Sequence, residues 1–303
     1  MVPSPKLDIL FILNPRSGGI DKTNWEKIIA GYFKTHSYQI EIFILTGKDD
    51  AVQINDKIKK DSPQKIVAVG GDGTVSLVAQ QLLHSSIPMG ILRGGSANAM
   101  ATDLKIPENN FAALDTILKG SIQKCDVIKI NENEISIHLS DLGLNAKIVK
   151  YFHQSSIHGM WGYARFFIKI LLRAKPVLAN ISTDEKEVKM KIFMIVIANA
   201  KKYGTGAIIN PEGLIDDGKF ELVVVRKISI LEMIKMFLNS KPFNPKNVQI
   251  IQTTKAVIST KRKTDFQIDG EYEGKTNKVS AQIIPSALNI IVPDLYDAEE
   301  SHV

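Results

Sequence analysis

The sequence predicts an N-terminal doubly wound α/β domain joined to a C-terminal antiparallel β-sandwich, and three observations carry that prediction. Over the first third, short apolar runs alternate with segments of helical spacing. From about residue 121 onward, most segments read as strands. Three glycine-rich turns, at 14–19, 70–74 and 94–98, each follow one of the early strands. Strands alternating with helices give a parallel sheet covered on both faces, whereas many short strands give a sandwich or barrel.

Residues 7–13 are an apolar run of strand length. Residues 23–35 have helical spacing, with Trp25, Ile28, Ile29 and Phe33 on related faces. A strand follows at 39–45. A helix at 49–60 carries Val52, Ile54 and Ile58, and a β-branched strand at 66–69 ends on Gly70-Gly71. A helix at 74–83 and a strand at 89–92 complete the alternation. The second part offers strands at 124–130, 134–139, 189–198, 219–225, 255–259, 264–268, 279–284 and 288–292, with helices at 161–174 and 229–239. The expected domains are 1–126 and 127–294, followed by a frayed acidic tail over 295–303.

Composition narrows the function classes. The 303 residues are 44% hydrophobic and 23% charged, an ordinary globular balance that excludes disordered and collagen-like chains. Lys plus Arg exceeds Asp plus Glu by 38 − 32 = 6. That excess suits an anionic ligand or membrane surface without demanding nucleic acid, and no nucleic acid is expected. Cys125 is the single cysteine, so no intrachain disulfide forms and a reducing compartment fits. Residues 1–6 lack the basic stretch and small-residue cleavage site expected of a secretory signal, and no apolar run approaches the roughly 20 residues that span a bilayer. The expected location is cytoplasmic, with peripheral membrane contact. The six histidines show no zinc spacing.

Ligands of open α/β sheets bind beyond the carboxyl ends of the strands, where all three glycine-rich turns belong. Gly70-Gly71-Asp72-Gly73-Thr74 lies between a strand and a helix. Glycines let the backbone approach a phosphate, and the start of a helix directs N–H groups toward it. Asp72 offers carboxylate oxygen to a hard cation bridging phosphates. Asn14-Pro15-Arg16-Ser17-Gly18-Gly19 and Gly94-Gly95-Ser96-Ala97-Asn98 add small residues, a hydroxyl and an amide at the same edge. The sequence contains neither G-x-x-x-x-G-K-[ST] nor G-x-G-x-x-G. Asp269 and Glu271 flank Gly270; on an extended strand both would face one side, whereas Asp-Gly is also hairpin chemistry.

The three loop motifs, together with Leu214-Ile215-Asp216-Asp217-Gly218-Lys219-Phe220 and Ile268-Asp269-Gly270-Glu271-Tyr272, resemble the diacylglycerol kinase catalytic-domain family, which includes bacterial lipid kinases and sphingosine kinases. The resemblance implies transfer of the γ-phosphoryl of ATP to a lipid hydroxyl, with ATP and Mg²⁺ as cofactors. The acceptor would be diacylglycerol, a sphingoid base or a related lipid. It further implies a nucleotide cleft between the two domains. Asn14, Arg16, Ser17, Gly18 and Thr46 would line the nucleotide. Gly71, Gly73, Thr74 and Ser96 would contact phosphates, Asn98 would brace its loop, and Asp72 would stand near the catalytic metal. Glu271 would be the general base, supported by Asp269. Leu214, Asp217 and Lys219 would form a second, structural Mg²⁺ site. The partners implied are a lipid substrate and an anionic membrane surface, and a homodimer is compatible. NAD kinases share the Gly-Gly-Asp-Gly-Thr element, so a soluble dinucleotide acceptor is the first alternative; a non-catalytic lipid- or nucleotide-binding protein is the second.

Two positions depart from the family pattern. Ala99 follows Asn98 where many bacterial members carry Asp, and Gly19 stands where some carry Lys, with Lys22 close behind. For membrane contact, the 161–174 segment sets Arg165, Lys169 and Arg173 on one helical face beside Trp161, Phe166, Phe167, Ile170 and Leu171.

Overall fold

A computed structural model describes residues 7–17, 22–154, 170–171, 173–203, 206–238 and 242–294. The chain forms two compact units, Met1–Cys125 with Ser286–Val303, and Asp126–Pro285. Gly18, Gly19, the Lys22 side chain, the 295–303 tail and most of the 161–174 segment, including Arg165 and Lys169, lie outside the described residues.

The first unit alternates as the sequence predicts: β1 (Ile9–Leu13), α1 (Lys22–Phe33), β2 (Ile40–Ile44), α2 (Asp50–Asp61), β3 (Lys65–Gly70), α3 (Asp72–Gln81) and β4 (Met89–Arg93). Two helices then follow that the sequence reading does not contain, α4 (Ala99–Asp103) and α5 (Asn110–Lys119). The strands pair in parallel in the order β2-β1-β3-β4. The end of β14 (Glu271–Val292) adds the last strand, parallel to β4 at Ile290 and Met89. Every residue of β1 is buried, as a strand covered on both faces requires. Right-handed crossovers in this strand order send α1 to one face and α2 and α3 to the other. Packing agrees: α2 lies against α3 and α1 against α5, the latter pair joined by Tyr32 Oη donating to Asp115 Oδ1 at 2.9 Å.

Local signals explain the helix ends. The Asn109 side chain caps α5 by accepting from the N–H groups of Phe111 (3.0 Å) and Ala112 (3.1 Å). In α2, Asp50 sits in the first turn and Lys59 and Lys60 in the last, matching the helix dipole.

The second unit is antiparallel throughout its named pairings. Its elements are β6 (Glu134–Ser136), β7 (Leu139–Gly143), α6 (Leu144–Gln154), β8 (Val177–Thr183), β9 (Glu187–Ile192), β10 (Met194–Ala198), β11 (Phe220–Val225), α7 (Ile230–Leu238), β12 (Val248–Thr253) and β13 (Lys255–Ile268), with the end of β5 (Ser121–Ile130) and the start of β14. The order β12-β11-β10-β7-β13-β14 is extended by β8 on β13 and β9 on β8. Strand β13 pairs with β8 over 256–260 and with β7 at 266–267, and its register against β14 shifts between Ser259 and Thr264 and again between Phe266 and Gln267. Ile181, Ile195, Phe220, Leu222, Ile258 and Val279 share one core between the strands. A second cluster, with Leu139, Val196, Ile209 and Val223, lies on the other side of β7, β10 and β11 and receives Met236 of α7.

Candidate active site

In the first unit the parallel registers align Leu13 with Val69 and Gly70 with Arg93. The turns after β1, β3 and β4 therefore meet at one sheet edge, joined by hydrogen bonds. Asn14 Nδ2 donates to Thr74 Oγ1 (3.0 Å), and Asn14 Oδ1 accepts from the Arg16 N–H (2.9 Å). The Gly71 N–H donates to Ser17 Oγ at 3.3 Å. Asn98 closes its own loop, accepting from the Gly95 N–H (2.8 Å) and donating to Gly95 O (2.7 Å). Asp72, half-buried in the first turn of α3, accepts from the Met100 N–H at 3.3 Å. Ser96 is exposed.

The glycines at this edge are required by backbone contact. A Cβ on Gly95 would lie 2.4 Å from Gly71 Cα, and one on Gly94 would lie 2.8 Å from Gly70 Cα. The Gly94 N–H also donates to Gly70 O at 2.8 Å. The two loops thus pack main chain on main chain, with the helix-start N–H groups of Asp72 and Gly73 lacking intrahelical partners.

Arg16 brings cationic charge to the rim. Its Nη2 reaches Thr46 O at 3.4 Å, and a Cβ on Gly47 (φ 82°) would stand 2.8 Å from its Nη1. Thr46 is fixed in turn by Asp50, which accepts from the Thr46 N–H (2.9 Å), Thr46 Oγ1 (3.1 Å) and the Gly47 N–H (2.8 Å). Asp50 and Arg93 are the residues here that motif reading overlooks. Arg93 donates to Ala101 O (3.1 Å), Ile106 O (2.7 Å) and Thr102 Oγ1 (3.0 Å), holding α4 beneath the third loop. Ala99 opens α4 and is buried.

In the second unit the 269–271 segment takes the hairpin form of the two that the sequence allows, not the extended one. Asp269 (φ 46°) and Gly270 (φ 92°) form the two-residue turn between β13 and β14, with Ile268 paired to Glu271. Positive φ at both central residues is the hairpin geometry for which Asp-Gly is suited. The two acids consequently part. Asp269 is buried, accepting from Ser136 Oγ (2.7 Å), the Ile137 N–H (2.8 Å) and the His138 N–H (3.0 Å). Glu271 is exposed as the first residue of β14. Burial, together with the charges of Glu134 and Glu271, pushes the nearby Glu273 carboxyl up.

A second buried acid supports the same hairpin. Asp141 Oδ2 accepts from Gln267 Nε2 (2.6 Å) and Asn145 Nδ2 (2.6 Å), while Gln267 Oε1 accepts from the Gly270 N–H (2.6 Å). The Asp141 carboxyl is fully buried, and the Tyr203 hydroxyl stands beside it. Burial pushes the Asp141 carboxyl from 3.8 up to about 6, against hydrogen bonds from Asn145 and Gln267 that favour the charged form. The folded state therefore holds this proton more tightly than the unfolded chain. The stabilisation is complete below pH 4 and is lost as pH rises through about 6. An Asp141→Asn protein is expected to lose that component, on the order of 3 kcal/mol, from its stability profile between pH 4 and 6. Parallel melting-temperature profiles of the two proteins over that range would refute it.

At the 214–219 turn, Asp217 Oδ1 accepts from the Lys219 N–H (2.9 Å) and Asp217 Oδ2 from Gln252 Nε2 (3.2 Å). The Leu214 side chain is exposed, and Lys219 Nζ donates to Gln252 Oε1 at 3.1 Å. The buried Glu221 carboxyl is pushed up by burial, with Asp217 and Glu212 adding to the shift. Among the described residues no group of three His, Cys, Asp or Glu side chains is placed to hold a metal. Oxygen-only Mg²⁺ ligation by one carboxylate, phosphates and water, at Asp72, is compatible with that.

Comparison with known proteins agrees with the motifs. Residues 8–130 match the model of the diacylglycerol kinase catalytic domain, and residues 140–292 match that of the YegS C-terminal NAD kinase beta sandwich-like domain. The chain is 24% identical over 273 residues to a diacylglycerol kinase of Bacillus subtilis, covering 87% of this chain and 89% of that protein. It is 27% identical over 299 residues to a Yersinia enterocolitica protein named "probable lipid kinase YegS-like", covering 94% and 96%. A diacylglycerol kinase structure from Bacillus anthracis shares the fold at TM-score 0.73 and 20% identity, covering 95% of this chain and 98% of that one. An ATP-bound NAD kinase from Archaeoglobus fulgidus shares it at TM-score 0.55 and 11% identity, covering 96% of each. With both halves matched in order, the chain belongs to the diacylglycerol kinase catalytic-domain family of kinases, in the form that carries a YegS-type C-terminal β-sandwich.

Proposed function

We propose that this protein transfers the γ-phosphoryl of ATP to the hydroxyl of a membrane lipid: a diacylglycerol, a sphingoid base or a related acceptor. The observation that carries this reading is the convergence of three loops on one edge of the parallel sheet, with Gly71 and Gly95 in main-chain contact and Asp72 in the first turn of α3. Glycine backbones and a helix start favour phosphate, and Arg16 supplies the cation. The lipid kinases among the relatives favour a lipid acceptor over a dinucleotide.

In this reading Arg16, Ser17, Gly18 and Thr46 line the nucleotide, and Gly71, Gly73, Thr74 and Ser96 meet its phosphates. Asn14 and Asn98 keep the loops in shape through the hydrogen bonds they already make. Mg²⁺ held near Asp72 would neutralise charge on the phosphates. Glu271 orients the acceptor hydroxyl and takes its proton as the new P–O bond forms. A second Mg²⁺ at the 214–219 turn, using Asp217 and the carbonyls of Leu214 and Lys219, would offset the negative charge gathered by Asp217 and Glu221. The protein works in the cytoplasm and visits the anionic face of a membrane.

Incubating the chain with γ-labelled ATP and a panel of diacylglycerol, sphingoid base and NAD tests this reading. Organic-extractable label that disappears in Asp72→Ala is the expected result. Label in the aqueous NAD product, or ATP binding without transfer, would overturn it.

A further inference from the structure

Helix α7 turns its apolar side to solvent. Ile230, Leu231, Ile234 and Leu238 are 75, 70, 46 and 65% exposed, and at 3.6 residues per turn they share one face. The acid of the helix points the other way: Glu232 is 4% exposed and accepts from Lys235 Nζ (3.2 Å), the Asn244 N–H (3.3 Å) and Asn247 Nδ2 (3.3 Å). Burial opposes its ionisation, but the contacts with Asn247, Lys235 and Asn244 outweigh it and hold the carboxyl below its ordinary range. Met236 packs on the second core cluster, and its carbonyl accepts from the Ile208 N–H at 2.8 Å. The helix is thereby pinned from its polar side, and rolling it to cover the four aliphatic side chains would break each of these contacts. A surface helix of a soluble protein has the reverse arrangement, and a contiguous exposed apolar face marks an interaction site.

Charge selects the occupant. Between Arg226 and Asn247 the sequence has five basic residues, Arg226, Lys227, Lys235, Lys241 and Lys246, against one acid, Glu232, a balance of 5 − 1 = +4. That acid is buried and bonded, while Arg226, Lys227 and Lys246 are exposed. A second copy of the chain meeting this face through a two-fold axis would set the same positive residues against each other. An anionic bilayer satisfies both halves of the surface, with aliphatic side chains at the acyl boundary and cations among the headgroups. We propose that α7 and its flanking basic residues form a docking face for an anionic lipid bilayer.

Flotation of the full chain with phosphatidylcholine vesicles, with and without phosphatidylglycerol, tests the proposal. The protein is expected to float preferentially with the phosphatidylglycerol vesicles. The triple variant Ile230→Ser, Leu231→Ser, Ile234→Ser should partition about tenfold or more weakly. The pair Arg226→Glu, Lys227→Glu should erase the preference for anionic lipid, also a loss of about tenfold or more. All five changes are at exposed or charged solvent-facing positions, so melting temperatures should hold. Unchanged flotation of both variants would overturn the proposal. So would a dimer in solution that the serine variant dissociates while flotation persists. The inference rests on the proposed function only for the presence of a lipid surface, and binding is read without nucleotide. A chain that floats through α7 yet labels no lipid refutes the reaction alone; one that labels lipid without α7-dependent flotation refutes the docking face alone.

Discussion

Replacing Glu271 by glutamine is expected to leave ATP binding intact and to slow phosphoryl transfer by about 10²–10⁴-fold, the usual contribution of a positioned proton acceptor. Glutamine keeps the size and hydrogen-bonding reach of the side chain but cannot take the proton of the acceptor hydroxyl. The backbone that carries Glu271 is held from two sides. The Asp269 carboxylate ties the turn to residues 136–138, and Gln267 Oε1 receives the Gly270 N–H at 2.6 Å. A group mounted on so fixed a hairpin can be aimed without a large loss of entropy at each turnover. Single-turnover transfer from labelled ATP, measured beside the nucleotide dissociation constant, checks this. Near-normal turnover in Glu271→Gln would remove the residue from the base role.

The largest effect on stability is expected at Asp269. Removing its carboxylate in Asp269→Ala strands the N–H groups of Ile137 and His138 and the Ser136 hydroxyl, whose bonds to it measure 2.8, 3.0 and 2.7 Å. Each buried donor left without its acceptor costs about 1–3 kcal/mol. Alanine is also a poor occupant of the left-handed backbone at φ 46°. Asn tolerates that backbone and keeps an acceptor oxygen, so Asp269→Asn should lose less. Urea unfolding of the three proteins orders them, wild type above Asn above Ala. Equal midpoints for Ala and wild type would show that the carboxylate bears no structural load.

The contrast between these neighbouring acids marks the boundary of what residue patterns reveal. Alternation around Gly270 places both carboxylates on one side of an imagined strand, whereas the backbone reverses there and buries one of them. The turn chemistry of Asp-Gly carried the signal, and only pairing of Ile268 with Glu271 decides in its favour. Strands β1, β3 and β4 were legible because burial on both faces demands unbroken apolar runs. Helix α4 was not, since its five residues are too few to show a period. Helix α5 did carry a signal, in the Asn109 cap and the buried Ala113, Leu114 and Ile117. The motif residues 14, 72, 74 and 98 were legible from their loops, but their braces, Asp50 and Arg93, bond mainly to backbone groups of Thr46, Gly47, Ala101 and Ile106, and a bond to main chain leaves no residue-type pattern to read. Asp141 reads as one acid in an apolar stretch, and its significance appears only with its burial.

The division of the chain has a consequence for biosynthesis. The second unit is one uninterrupted stretch, Asp126–Pro285, whereas the first takes its closing strand from beyond residue 285. On a ribosome, the parallel sheet must therefore wait with the β4 margin uncovered until Ile290 emerges to pair with Met89. Throughout that delay the unpaired margin is a site for illegitimate strand addition. The half of the molecule synthesised first is thus the half completed last.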